Sequence, residues 1–136
     1  MKEIIKYIIV GIVILCLDGI WIASNFSMYS NAVKLVQKSA MINNYYAVLI
    51  AYILMIFTSI YIAIPFTKQY IEKNDGLLEK LYKSFLYGGA IGMAINGIYN
   101  FTSLAIYKDY QWSIAVYDTF WGITINTLAV FIYTLL

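Results

Sequence analysis

Histidine and arginine are absent from this 136-residue chain, and cysteine and proline occur once each. With no histidine, and with Cys16 alone in an apolar run, the usual ligand sets of zinc, haem and iron–sulfur clusters are missing, so neither a metal nor a redox cofactor is expected. One cysteine also excludes a disulfide framework; Cys16 reads as a small hydrophobe in a helix. Charge is scarce, at 12% of residues where soluble domains carry about 25%. The nine lysines and seven acids leave a net charge of +2. They are scattered over connections and ends rather than gathered in an aromatic-lined groove, which argues against a nucleic-acid partner.

What is present is apolar. Hydrophobic residues make up 62% of the chain, and its mean hydropathy is +0.76. Four runs are long enough to cross ~30 Å of hydrocarbon as helices. The expected spans are 4–24, 45–66, 80–106 and 113–136. They use nearly the whole length, so residues 1–136 form a single transmembrane domain, an all-α four-helix bundle in contact with the lipid bilayer. The first run, with Lys2 before it and Lys6 near its start, has the outline of a signal peptide, but Asp18 interrupts it and a retained span is expected. Between spans one and two, Tyr29, Val33, Val36 and Ala40 recur at helical spacing opposite Asn31, Lys34 and Lys38, which predicts a short interfacial helix.

Lysine placement predicts the orientation. Lys2, Lys6, Lys68, Lys73, Lys80 and Lys83 fall on one side and Lys34, Lys38 and Lys108 on the other, so both termini are expected in the cytoplasm.

Two acids lie within spans, each in the same pattern: Asp18-Gly19-Ile20-Trp21 and Asp118-Thr119-Phe120-Trp121. Asp and Trp three apart share a helix face, so each of these spans presents a carboxylate and an indole N–H to one neighbour. Both acids fall ~8–9 Å below the outer surface at 1.5 Å rise per residue. At that depth lie Tyr52 of span two and Asn96 and Asn100 of span three. An ionised Asp costs up to ~3 kcal/mol at the centre of a span. It has to be relieved by a shared proton, a bound cation, or hydrogen bonds from Asn, Tyr and Trp, and the two acids are expected to face one another or a common cavity. Alternatively, each Asp is satisfied locally and the polar residues only join helices.

Gly88 and Gly92 have the G-x-x-x-G spacing that lets backbones approach, expected to serve packing within the bundle ahead of dimer contact. Of the fourteen tyrosines, those near predicted interfaces, among them Tyr107 and Tyr110, fit an aromatic belt.

The run from Asn96 to Gly122, NGIYNFTSLAIYKDYQWSIAVYDTFWG, together with Leu17-Asp18-Gly19-Ile20-Trp21, resembles the small bacterial and viral membrane family termed domain of unknown function 2177. That family has L-D-x-x-W in its first span, Y-D-L-T-N in its third, and D-x-x-W-G in its fourth after a Trp-containing turn. Asp18, Trp21, Tyr99, Thr102, Trp112, Asp118, Trp121 and Gly122 match those positions. Asn100 stands where the family usually has Asp, and Ser103 where it has Asn. The resemblance implies four spans in a host-cell or viral membrane and supplies no reaction.

The expected binding residues are therefore Asp18, Trp21, Tyr52, Asn96, Tyr99, Asn100, Thr102, Asp118 and Trp121, with no catalytic and no metal-ligating residue assigned. The leading expectation is binding and transport of a small solute, cation or proton, by a homodimer because four short spans make a thin pathway. The competing expectations are a structural or accessory membrane subunit and a lipid-binding or lipid-modifying protein. An enzyme would need an electrophile stabiliser that the spans do not offer.

Overall fold

In the computed structural model, which describes residues 2–136, the first apolar run forms α1 (Glu3–Ser24). Asn25 ends it: its backbone N–H (3.0 Å) and its side-chain amide (2.9 Å) both donate to the Trp21 carbonyl. These bonds satisfy an oxygen that the helix end would leave orphaned. The chain re-enters helix at once as α2 (Phe26–Gln37), the short helix expected from the periodicity. Its C-cap is Lys38 at φ 60°, a left-handed conformation that usually falls to glycine. The Lys38 ammonium meets Asp109 at 2.7 Å, which ties the end of α2 to the connection between the last two helices.

Helix α3 (Tyr45–Lys68) opens with Asn44, whose Oδ1 accepts from the Ala47 N–H at 3.2 Å. It widens into a π-helical turn at Ser59–Ala63, directly before Pro65. Proline has no N–H to donate and its ring collides with the carbonyl four residues back, so a wider turn accommodates it. Helix α4 covers 77–106 and contains a second π-helical turn at Ser84–Gly88. Helix α5 (Trp112–Leu135) is the central element, with buried residues along its length from Ile114 to Tyr133.

Helices α4 and α5 pack most intimately. A Cβ on Gly92 would run into the Gly122 carbonyl, and one on Gly122 into the Asn96 side chain. Gly88 meets α5 as well, at Val130 and the Asn126 carbonyl, so the G-x-x-x-G pair is used inside the chain. The core lies toward the lysine-rich end and comprises Val10, Ile14, Ala63, Ile64, Ile125, Ala129, Val130 and Tyr133. The first part of α3, Tyr45–Thr58, has no fully buried residue, although Met55 packs against the core from its side.

The fold is thus all-α, with no strand among the described residues. Helices α1, α3 and α5 are each long and apolar enough to cross a membrane. Ile4, Ile8, Ile12, Ile50, Ile53 and Leu54 point outward, a surface suited to lipid. In α4 the apolar character is diluted by Asn96, Asn100 and four glycines.

Candidate functional site

Asp118 lies in the second turn of α5, where the helix faces both α4 and α2. Its Oδ1 accepts from the Tyr29 hydroxyl at 2.9 Å. Its Oδ2 accepts from the Asn100 amide at 2.6 Å and the Asn96 amide at 3.2 Å. Asn96 and Asn100 are four apart on α4, and their shared face brings both amides to the same oxygen. The network extends one bond further each way. Trp21 Nε1 donates to the Tyr29 oxygen at 2.9 Å, and the Tyr110 hydroxyl donates to Asn100 Oδ1 at 2.5 Å.

Asp18 is satisfied separately. Trp121 Nε1 donates to its Oδ1 at 2.8 Å, and Tyr52 of α3 lies beside it. The two tryptophans stack at 4.4 Å between centroids and 2° between planes, and Tyr117 extends the stack over Trp21 at 5.8 Å. The repeated D-x-x-W therefore works by exchange. The indole of α5 serves the acid of α1, while the indole of α1 reaches the acid of α5 through Tyr29. Among the described residues, neither acid forms a salt bridge.

The two carboxyls occupy adjoining cavities rather than the common one expected from their depth. Asp118 lines a cavity of about 430 Å³ between α2 and the facing ends of α4 and α5, walled by Val33, Val36 and Ile114 and by the rings of Tyr99, Tyr107 and Tyr110. Asp18 lines another of about 470 Å³, where the exposed half of α3 stands off from α4 beside Asn96 and Asn126. Tyr99 borders both. The stacked Trp21–Trp121 pair stands between the two networks because each ring is bonded into a different one.

Of the sequence-predicted residues, the structure joins Trp21, Asn96, Asn100 and Asp118 in one hydrogen-bonded network. It places Asp18, Trp121 and Tyr52 in the neighbouring one and sets Tyr99 on the wall between them. Thr102 does not join: it is exposed on α4, two residues past Asn100 and so on another face of the helix. Tyr29 and Tyr110 were not legible as site residues. Tyr29 read as one member of the apolar stripe of α2, and Tyr110 as belt.

Both tyrosines hold their protons firmly. Burial pushes the Tyr29 hydroxyl above the ordinary tyrosine range; the Trp21 bond opposes this and the negative Asp118 reinforces it. Tyr110 is pushed up to about 12, by burial first and then by Tyr99 and Asp118. Each is therefore a donor throughout the neutral range.

The model of the family described as "Predicted membrane protein (DUF2177)" matches residues 3–135, nearly the whole chain. No curated protein and no solved structure matches. The chain belongs to the DUF2177 family of membrane proteins.

Proposed function

We propose that this DUF2177 protein binds a small organic cation in the α2-covered cavity, against Asp118, as the first step of transport. In this reading α1, α3, α4 and α5 all cross the bilayer as a four-span bundle with both termini in the cytoplasm. The lysine-rich end then faces inward and the Asp118 cavity opens toward the outer leaflet. Four helices enclose little room for a pathway, so transport would use two copies.

The observation that carries the proposal is chemical. Asp118 is the sole carboxylate of the α2-covered cavity, whose walls are aromatic and aliphatic, and no lysine pairs with it among the described residues. At 4 Å a cation would gain ~4 kcal/mol at an effective dielectric of about 20. The Tyr99, Tyr107 and Tyr110 faces add ~0.5–2 kcal/mol for a desolvated cation. The class of cation follows from the donors. Asn96, Asn100 and Tyr29 aim N–H and O–H groups at the carboxylate, and so offer few oxygens to replace the hydration shell of a metal ion. A quaternary ammonium needs only negative charge and π faces.

A structural reading is favoured for the Asp18 half alone. Its bond to Trp121 and the indole stack clamp α1 to α5 with no ligand required.

The test is a titration of the purified protein with tetramethylammonium, read by calorimetry and by tryptophan fluorescence. Saturable binding is expected, weakened at least about tenfold, or ~1.4 kcal/mol, by Asp118→Asn. Asp18→Asn is expected to lower thermal stability while leaving affinity largely intact. Equal affinity in Asp118→Asn, or no binding by the unaltered protein, would rule the proposal out.

A further inference from the structure

At the opposite end of the bundle, four lysines from four places in the chain converge on a single cavity of about 230 Å³. Lys6 comes from α1, Lys68 from the end of α3, Lys73 from the following connection and Lys80 from the start of α4. The cavity also holds Glu3 and Glu72, which leaves a formal excess of two positive charges. None of the four lysines forms a salt bridge among the described residues, although Lys83 close by holds both Asp75 and Glu79.

Buried Tyr133 organises the floor. It donates to Glu3, accepts from Lys68 at 2.9 Å, and stacks on Tyr7 at 5.4 Å. Lys6 and Lys68 also lie over its ring, at 5.5 and 5.0 Å. Glu3 is thereby engaged by Tyr133, with the charges of Lys68 and Lys6 beside it. Among the described residues Lys73 and Lys80 form no salt bridge, and both line the cavity wall.

We propose that this cavity binds a phosphate group, most naturally the headgroup phosphodiester of an anionic lipid. Four ammonium groups on a concave, polar surface at a helix-bundle end suit a compact anion, and a basic pocket there recognises headgroup charge. Lysine serves such a group as a point charge, without bidentate geometry. The inference is independent of the cation proposal, because the two cavities share no residue.

The experiment compares the full chain in micelles doped with phosphatidylglycerol or phosphatidylcholine, and separately with inorganic phosphate. Lipid retention is read by native mass spectrometry and stabilisation by thermal melting. Phosphatidylglycerol is expected to be retained and to raise the melting temperature. Lys73→Gln/Lys80→Gln, which removes no salt bridge among the described residues, should weaken retention roughly 30-fold, from a factor of about five per lysine. Lys108→Gln, at the other end, should leave it unchanged. Competition by inorganic phosphate would show that the phosphate group itself is read. Stabilisation by inorganic phosphate without lipid retention, lost in the double variant, would identify a free anion as the ligand. Equal retention in the double variant, equal loss in Lys108→Gln, or no response to either ligand would overturn the proposal.

Discussion

Asp118 and Asp18 carry the same side chain in the same D-x-x-W pattern, yet their surroundings divide the work between them. Asp118 draws on Tyr29, Asn96 and Asn100 and borders an open cavity, whereas Asp18 is held by an indole at the edge of a stack. Tyr29 is the residue that distinguishes them, because it joins α2 to α5 and passes the Trp21 bond on to Asp118. Tyr29→Phe keeps the ring and removes that link. A hydrogen bond to a charged group contributes about 1.5–3 kcal/mol, so a loss of that order is expected in chemical unfolding, together with a change in Trp21 emission. An unchanged emission spectrum would show that Trp21 does not depend on the bond. The sequence carried Asp18, Asp118, Asn96 and Asn100 plainly, because polar residues inside apolar runs are conspicuous. It did not carry Tyr29 or Tyr110, since a tyrosine near an interface looks the same whether it anchors in lipid or serves a buried acid.

Between elements, the α4–α5 contact is fixed by the absence of side chains. Gly92→Ala would press a methyl group into the Gly122 carbonyl, and backbone on both sides leaves no flexible group to yield. A cost of at least about 1–3 kcal/mol is expected, as for overpacking in a tight core, measured as a lower melting temperature in detergent. Gly19→Ala is the matched control, because a Cβ there meets nothing within 4 Å and alanine favours the helix by ~1 kcal/mol. If both variants melted alike, the close approach would not be limiting stability. The G-x-x-x-G spacing pointed to one side of this contact. Its counterpart, Gly122, stood out only as the end of D-x-x-W-G, and its packing role was not visible because a single glycine has no spacing to recognise. The two π-helical turns were equally silent: the lone proline falls near the end of a span, where it is tolerated, and the size of the turn before it depends on packing.

For the whole molecule, the helical segments were readable because hydropathy and length act locally, and the structure reproduces their limits to within a few residues at most ends. The cavity was not readable, since it is assembled from residues 29–37 and 99–118 by the Lys38–Asp109 pair and the Tyr29–Asp118 bond. Orientation is testable by labelling. With exposed Cys16 replaced by serine, Asn74→Cys should react with a membrane-impermeant maleimide only after the cell is opened, and Asn31→Cys should react in intact cells. The reverse pattern would invert the bundle and turn the Asp118 cavity toward the cytoplasm.

The most direct measurement places the cation itself. A photoreactive quaternary ammonium, activated on the purified protein and mapped by peptide mass spectrometry, is expected to label α2 and the Tyr107–Tyr110 connection, with protection by excess tetramethylammonium and at least about tenfold loss in Asp118→Asn. Label spread over lipid-facing positions, or label on these segments that persists undiminished in Asp118→Asn, would contradict a cation site at Asp118.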